Sequence, residues 1–166
     1  MLEWSEIILR LGAATAAGGL IGLNRDLQGK PIGVRTLGLV GLATATIVAL
    51  AAPSADAAPV SDATSRIIQG ILTGIGFLGA GVIVHRDKLS QVHGLTSAAC
   101  TWLTACIGIV CGTGYWRIVI LALAITFIVL LIGGAVERRL HRALGGRKAD
   151  HDKSADPSSR ADAPPP

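Results

Sequence analysis

Gly74-Ile75-Gly76-Phe77-Leu78-Gly79 spells the G-x-G-x-x-G pattern with which dinucleotide-binding folds cradle a pyrophosphate. That chemistry needs the glycines at a strand-to-helix turn, with an acid about 20 residues further on. Here they lie inside a long apolar run, and the corresponding stretch reads Ala98-Ala99-Cys100. The pattern is a packing motif. No HExxH helix and no GxSxG nucleophile elbow occurs either. His85 and His93 flank a charged, solvated loop. Cys100, Cys106 and Cys111 share one apolar run, where free cysteines act as small polarizable packing residues rather than as a disulfide or metal set. The sequence offers no catalytic constellation, no cofactor site and no metal site.

The remaining polar chemistry stands at the ends of the apolar runs. Arg25, Asp26, Lys30 and Arg35, with Thr36 beside them, cluster across one short loop, and Arg86, Asp87 and Lys88 across another. Topology alone accounts for such cations singly. As a group they also form a polar patch suited to a protein partner or a lipid headgroup. Arg66 and Gln69 open a third run on the opposite side, where topology does not call for an arginine; snorkelling is its ordinary explanation. Thr96 begins a fourth run, and Trp102 lies inside it, where core packing is the ordinary role. Between the ends of the runs stand no acids, only Gln69, a few threonines and Arg10, Glu6 lying at the very start of the first. Magnesium sites rest on carboxylates and retained water, so this pattern weakens a transport reading.

The elements that hold these residues are membrane spans. Apolar residues make up 51% of the 166 and charged ones 16%, with a mean hydropathy of +0.56. The charges are clustered, leaving uncharged stretches near the roughly 20 residues that cross a bilayer. Five spans are expected, at about 5–23, 34–52, 67–84, 95–112 and 118–136, in an all-α polytopic bundle occupying residues 1–140. Residues 141–166, polar and ending in three prolines, read as a disordered cytoplasmic tail. In the first span Glu6 stands one helical turn before Arg10, which can also extend toward the headgroups. Ala14, Gly18 and Gly22 make a small-residue stripe for close helix approach. The third span is denser still, with Gly70, Gly74, Gly76, Gly79 and Gly81. In lipid the backbone must stay helical despite them, so they read as a surface for backbone contact.

Charge sets the expected orientation. With the carboxyl end inside, the cytoplasmic segments hold Arg25, Lys30, Arg35, Arg86, Lys88 and every basic residue from Arg138 onward, against Arg10, Arg66 and Arg117 outside. The positive-inside rule then predicts an external amino terminus. The same placement explains the net charge of +4 without a nucleic-acid partner.

Four blocks resemble the membrane domain of the MgtC/SapB family: IGLNRD (Ile21 to Asp26), GVRTLGLV (Gly33 to Val40), RIIQGILTGIGFLGAGVI (Arg66 to Ile83) and HGLTSAACTWLTACIGIVCGTGYW (His93 to Trp116). Family motif positions carry onto Gly22, Arg25, Gly33, Arg35, Thr36, Arg66, Gly74, Gly76, Gly79, Gly81, Gly94, Thr96 and Trp102. The resemblance implies a multi-pass bacterial inner-membrane protein with no catalytic activity established across the family. It also implies a link to magnesium limitation and survival inside host cells, and action on other membrane complexes such as ATP synthase. The expected partners are the bilayer and another membrane protein, with a second copy of the chain as an alternative. The alternative function is a small magnesium or cation transporter, with Arg66, Gln69 and Arg25 lining a path. Two departures stand out. Asn24 occupies a position where the family usually has an acid before the arginine, so any pairing acid must be Asp26. A polar tail follows the last span, where longer members carry a soluble domain.

Overall fold

The computed structural model describes residues 2–51, 61–86 and 91–145, except for the side chains of 84–93 and 134–145. The expected disordered tail lies outside the described residues from 146 onward. Five long helices carry the fold: α1 (Trp4–Leu27), α2 (Val34–Ala51), α3 (Asp62–Val82), α4 (Leu95–Thr113) and α5 (Trp116–Gly145). All five are long and apolar enough to cross a membrane. At 1.5 Å per residue, the 19 residues of α4 reach about 28 Å, close to the hydrocarbon thickness of a bilayer.

Local chemistry sets the ends. The α1 helix runs four residues past its expected span, into the stretch read as a polar loop, and stops where the Gln28 amide donates back to the Arg25 carbonyl and the Gly29 amide to the Asp26 carbonyl. Gly29 then takes a positive φ of 61°, which glycine adopts without strain. Ile32 takes φ 66°, an uncommon conformation for a β-branched residue, in the turn between Pro31 and Gly33. Ser61 caps α3 by accepting the Thr64 amide at 3.2 Å. The Thr64 hydroxyl donates to the Ala51 carbonyl at 3.3 Å, tying the start of α3 to the end of α2. Gly114, at φ 83°, closes α4 by donating to Val110 and Cys111. The two ends of the segment read as a charged loop are instead short strands, β1 (Val84–Arg86) and β2 (Gln91–His93), paired antiparallel in the register Val84 to His93. Three-residue strands carry too little periodicity to be seen in sequence.

The chain divides into two compact units between Ala124 and Ile125. Within the first, α4 is central: it packs on α1, α2 and α3, while α1 and α2 pack on each other. Its spanning window is 61% buried, against 6% for α3, so α3 is peripheral. In the second unit the described part is the distal portion of α5, helical through Gly145 and so past the expected span end at 136.

Close backbone approach holds α1, α2 and α4 together. A Cβ on Gly18 would strike the Leu37 carbonyl, and one on Gly41 the Ala14 carbonyl. One on Gly108 would meet Thr44 Oγ1 and the Gly41 carbonyl. Association within lipid depends on this kind of fit, because water supplies no hydrophobic drive between helices there. The buried threonines beside these crossings satisfy themselves locally. Thr44 donates to Val40 at 2.9 Å and Thr101 to Ser97 at 2.9 Å.

Candidate functional site

Two arginines on α1 turn into the protein and bracket α4 from opposite ends. Arg10 is 1% exposed and Arg25 4%. Arg10 donates from Nη1 to the Gly112 carbonyl at 2.9 Å and from Nη2 to Glu6 Oε2 at 2.8 Å. The expected Glu6 pairing is present, but the guanidinium does not extend toward headgroups. It turns inward because the last carbonyls of α4 need a donor and the negative end of the helix dipole favours a cation. Arg25 reaches the other end, where Nη2 donates to Ser97 Oγ at 3.0 Å. Its Nε is enclosed without a partner. Among the described residues no acid pairs with it, and the one ion pair is Glu6–Arg10.

The neighbours of Arg25 point elsewhere. Asp26 accepts the Val34 amide at 2.9 Å and lies against Gly33, where a Cβ would overlap its carboxylate. Asp26 therefore caps α2 rather than neutralising an arginine. Replacing Asp26 with Ala is expected to cost about 1 kcal/mol of stability, read as a lower midpoint in thermal unfolding of the detergent-solubilised protein. An unchanged midpoint would show that the amide of Val34 finds water equally well. Asn24 accepts from the Gln28 side chain at 3.0 Å and takes no part in the arginine contact.

The other sequence candidates separate. Arg35 and Thr36 are exposed at the start of α2, and Thr96 is exposed in the first turn of α4. Arg66 and Gln69 are exposed near the start of α3. Gly94, by contrast, packs against Val82 at the far end of α3, about 24 Å from Arg66 by helical rise. Arg66 and Gln69 thus do not join Arg25 in one site. Trp102 is 48% exposed, correcting the expectation of core packing: it stands on the outer side of a helix whose other faces are occupied.

The glycines fall into two groups. Gly18 and Gly22 meet α2 backbone, Gly22 through Val34 and Gly33. Gly70, Gly74, Gly76 and Gly81 have nothing within 4 Å of an added Cβ, and Gly79 has only Ala98 at 3.9 Å. Phe77 is 83% exposed among them. Sequence reasoning singled out the α3 glycines but missed Gly41, Gly108 and Gly112. The four-residue spacing of Gly108 and Gly112 is the small-residue signal that could have found the last two.

Five helices of spanning length, three of them knit by glycine contacts and inward arginines, define a multi-pass helical membrane protein. The MgtC family profile matches residues 11–139. The chain belongs to the MgtC family. It is 39% identical over 137 residues to "Protein SrpB" of Synechococcus elongatus, covering 78% of this chain and 74% of that one. It is 38% identical over 130 residues to "Putative magnesium transporter YhiD" of Escherichia coli K12, covering 76% and 60%. It is 41% identical over 123 residues to "Protein MgtC" of Salmonella typhimurium, covering 74% and 49%. The chain thus spans between half and three quarters of the length of these relatives. No solved structure matches it.

Proposed function

We propose that this chain is a non-enzymatic modulator that acts through helix contacts with another membrane complex, an ion-transport system or ATP synthase, in adaptation to low magnesium or to life inside a host cell. The observation that carries this reading is the outward side of α3. Arg66, Gly70, Thr73, Phe77 and Gly81 share it, and all are exposed. Glycine at this density costs helix stability in water and serves close helix contact in lipid. On α1 the same residue type meets backbone inside the chain; on α3 it faces out. Membership of the MgtC family and the placement of basic residues support an inner-membrane location with an external amino terminus.

The test is capture from native membranes in mild detergent, with cells grown at low and at high magnesium. A stoichiometric membrane complex should accompany the wild-type chain and be lost with Gly70→Leu or Gly81→Leu, while the folded yield stays unchanged. Free protein in every case would remove the proposal. Gly79 is a poorer choice because a side chain there would press on Ala98.

The name of the Escherichia coli relative favours a second reading, a magnesium or other cation transporter. Among the described residues no three His, Cys, Asp or Glu side chains come together to hold a cation. Magnesium flux into vesicles reconstituted with the chain decides this reading: flux above lipid background supports it, and flux at background removes it.

A further inference from the structure

We propose that the amino-terminal turn of α4, backed by Arg25, binds a phosphate oxyanion. The argument begins with an asymmetry between the two buried arginines. Arg10 stands at the carboxyl end of α4, where the helix dipole is negative, and Glu6 shares its charge. Arg25 stands at the amino end, where the dipole is positive, with one neutral hydroxyl as its partner. Both arginines leave Nε without a partner among the described residues, so the difference is in charge: Arg25 is 4% exposed, and the adjacent carboxylate of Asp26 is engaged at α2. A buried cation beside like partial charge calls for an anion.

The helix end is built without its own cap. Its N-cap residue is Gly94, at φ 94°, and makes no side-chain cap bond. A Cβ there would strike the Val82 carbonyl, so the backbone excludes the Ser, Thr or Asp that would ordinarily satisfy this turn. The Ala98 amide bonds to the Gly94 carbonyl at 2.8 Å. The amides of Leu95, Thr96 and Ser97 precede it and are the orphan donors of the helix. α1 also starts without a side-chain cap, at Glu3, whereas α2 has Asp26 and α3 has Ser61 at the equivalent places.

Orphan amides at a helix amino terminus plus a guanidinium suit a tetrahedral oxyanion, which can accept from both at once. Leu95 and Thr96 are exposed, so the turn that Arg25 backs is open to the surroundings. A span-length helix ending here puts that opening at headgroup depth. The phosphate can therefore belong to an anionic lipid or to free inorganic phosphate. The chemistry of the site is the same for both.

The test uses the full chain, purified in uncharged detergent and stripped of lipid. Inorganic phosphate is titrated against chloride at matched ionic strength, and short-chain phosphatidylglycerol in parallel, with bound copies counted by native mass spectrometry and Tm followed. One saturable site for either probe is expected. Saturation by phosphatidylglycerol alone assigns the site to a lipid headgroup, and saturation by phosphate assigns it to the free anion. Arg25→Gln should weaken that binding at least tenfold, while Arg35→Gln, an exposed cation on α2, should change it less than twofold. Thr96→Asp supplies an internal carboxylate to the same turn. It should raise Tm and abolish binding, a pairing that keeps the test decisive even if R25Q does not fold. The proposal is overturned if neither probe saturates, if R35Q weakens binding as much as R25Q, or if T96D binds as wild type does.

Discussion

Gly18→Leu should abolish accumulation of folded protein, whereas Gly70→Leu should leave yield and thermal midpoint within experimental scatter. Both substitutions add the same four carbons to a glycine in a helix, and on helix propensity alone both are favourable. The difference lies in what the new side chain meets. At Gly18 the first added carbon already overlaps the Leu37 carbonyl and touches Thr104. Backbone on the facing helix cannot rotate aside, so α1 and α2 must separate. Overpacking a well-filled core typically costs 1–3 kcal/mol. Here a whole helix contact opens, and with it the crossings at Gly41 and Gly108, which share the same three helices. At Gly70 nothing lies within 4 Å. Size-exclusion profiles of fluorescently tagged variants would separate the two outcomes. Equal loss in both would mean that the α3 surface is needed for folding rather than for a partner.

That pair of substitutions also shows how far the sequence could be read. The spans were legible because charge is expensive in lipid and therefore clusters at their ends, as between Asn24 and Lys30. Glycine spacing showed that helices come close, but not which helices. Gly18-x-x-x-Gly22 and Gly70-x-x-x-Gly74 are equivalent as patterns, yet the first meets α2 and the second meets nothing among the described residues. Three-dimensional contact decides, and it depends on side chains far off in sequence. Arg25 is the sharper case. As one of several cations in a loop it had a sufficient explanation in topology. Its burial follows from Ser97, 72 residues away. Asp26, the expected counter-charge, is drawn to the nearer orphan amide of Val34. Trp102 misled for a related reason: position along a span says nothing about which side of the helix faces lipid.

Arg10→Met should destabilise the protein by about 3 kcal/mol, and Glu6→Gln by no more than about 1 kcal/mol. The two residues form one ion pair at 2.8 Å, but their surroundings differ. Glu6 is 43% exposed, so solvent and headgroups screen its share, and a glutamine oxygen can still accept from Arg10. Arg10 is enclosed and serves a second group, the Gly112 carbonyl at the carboxyl end of α4. Methionine fills much of the volume but donates nothing, leaving that carbonyl buried and unpaired where water is scarce. It also removes the cation that complements the helix dipole at this end, and it withdraws a guanidinium that lies against Gly114, where the chain turns toward α5. Unfolding free energies measured in bicelles would give the order directly. An E6Q loss as large as that of R10M would mean that the arginine is held by charge alone. A loss larger for R10M than for E6Q would show that its main work is to close the end of the central helix.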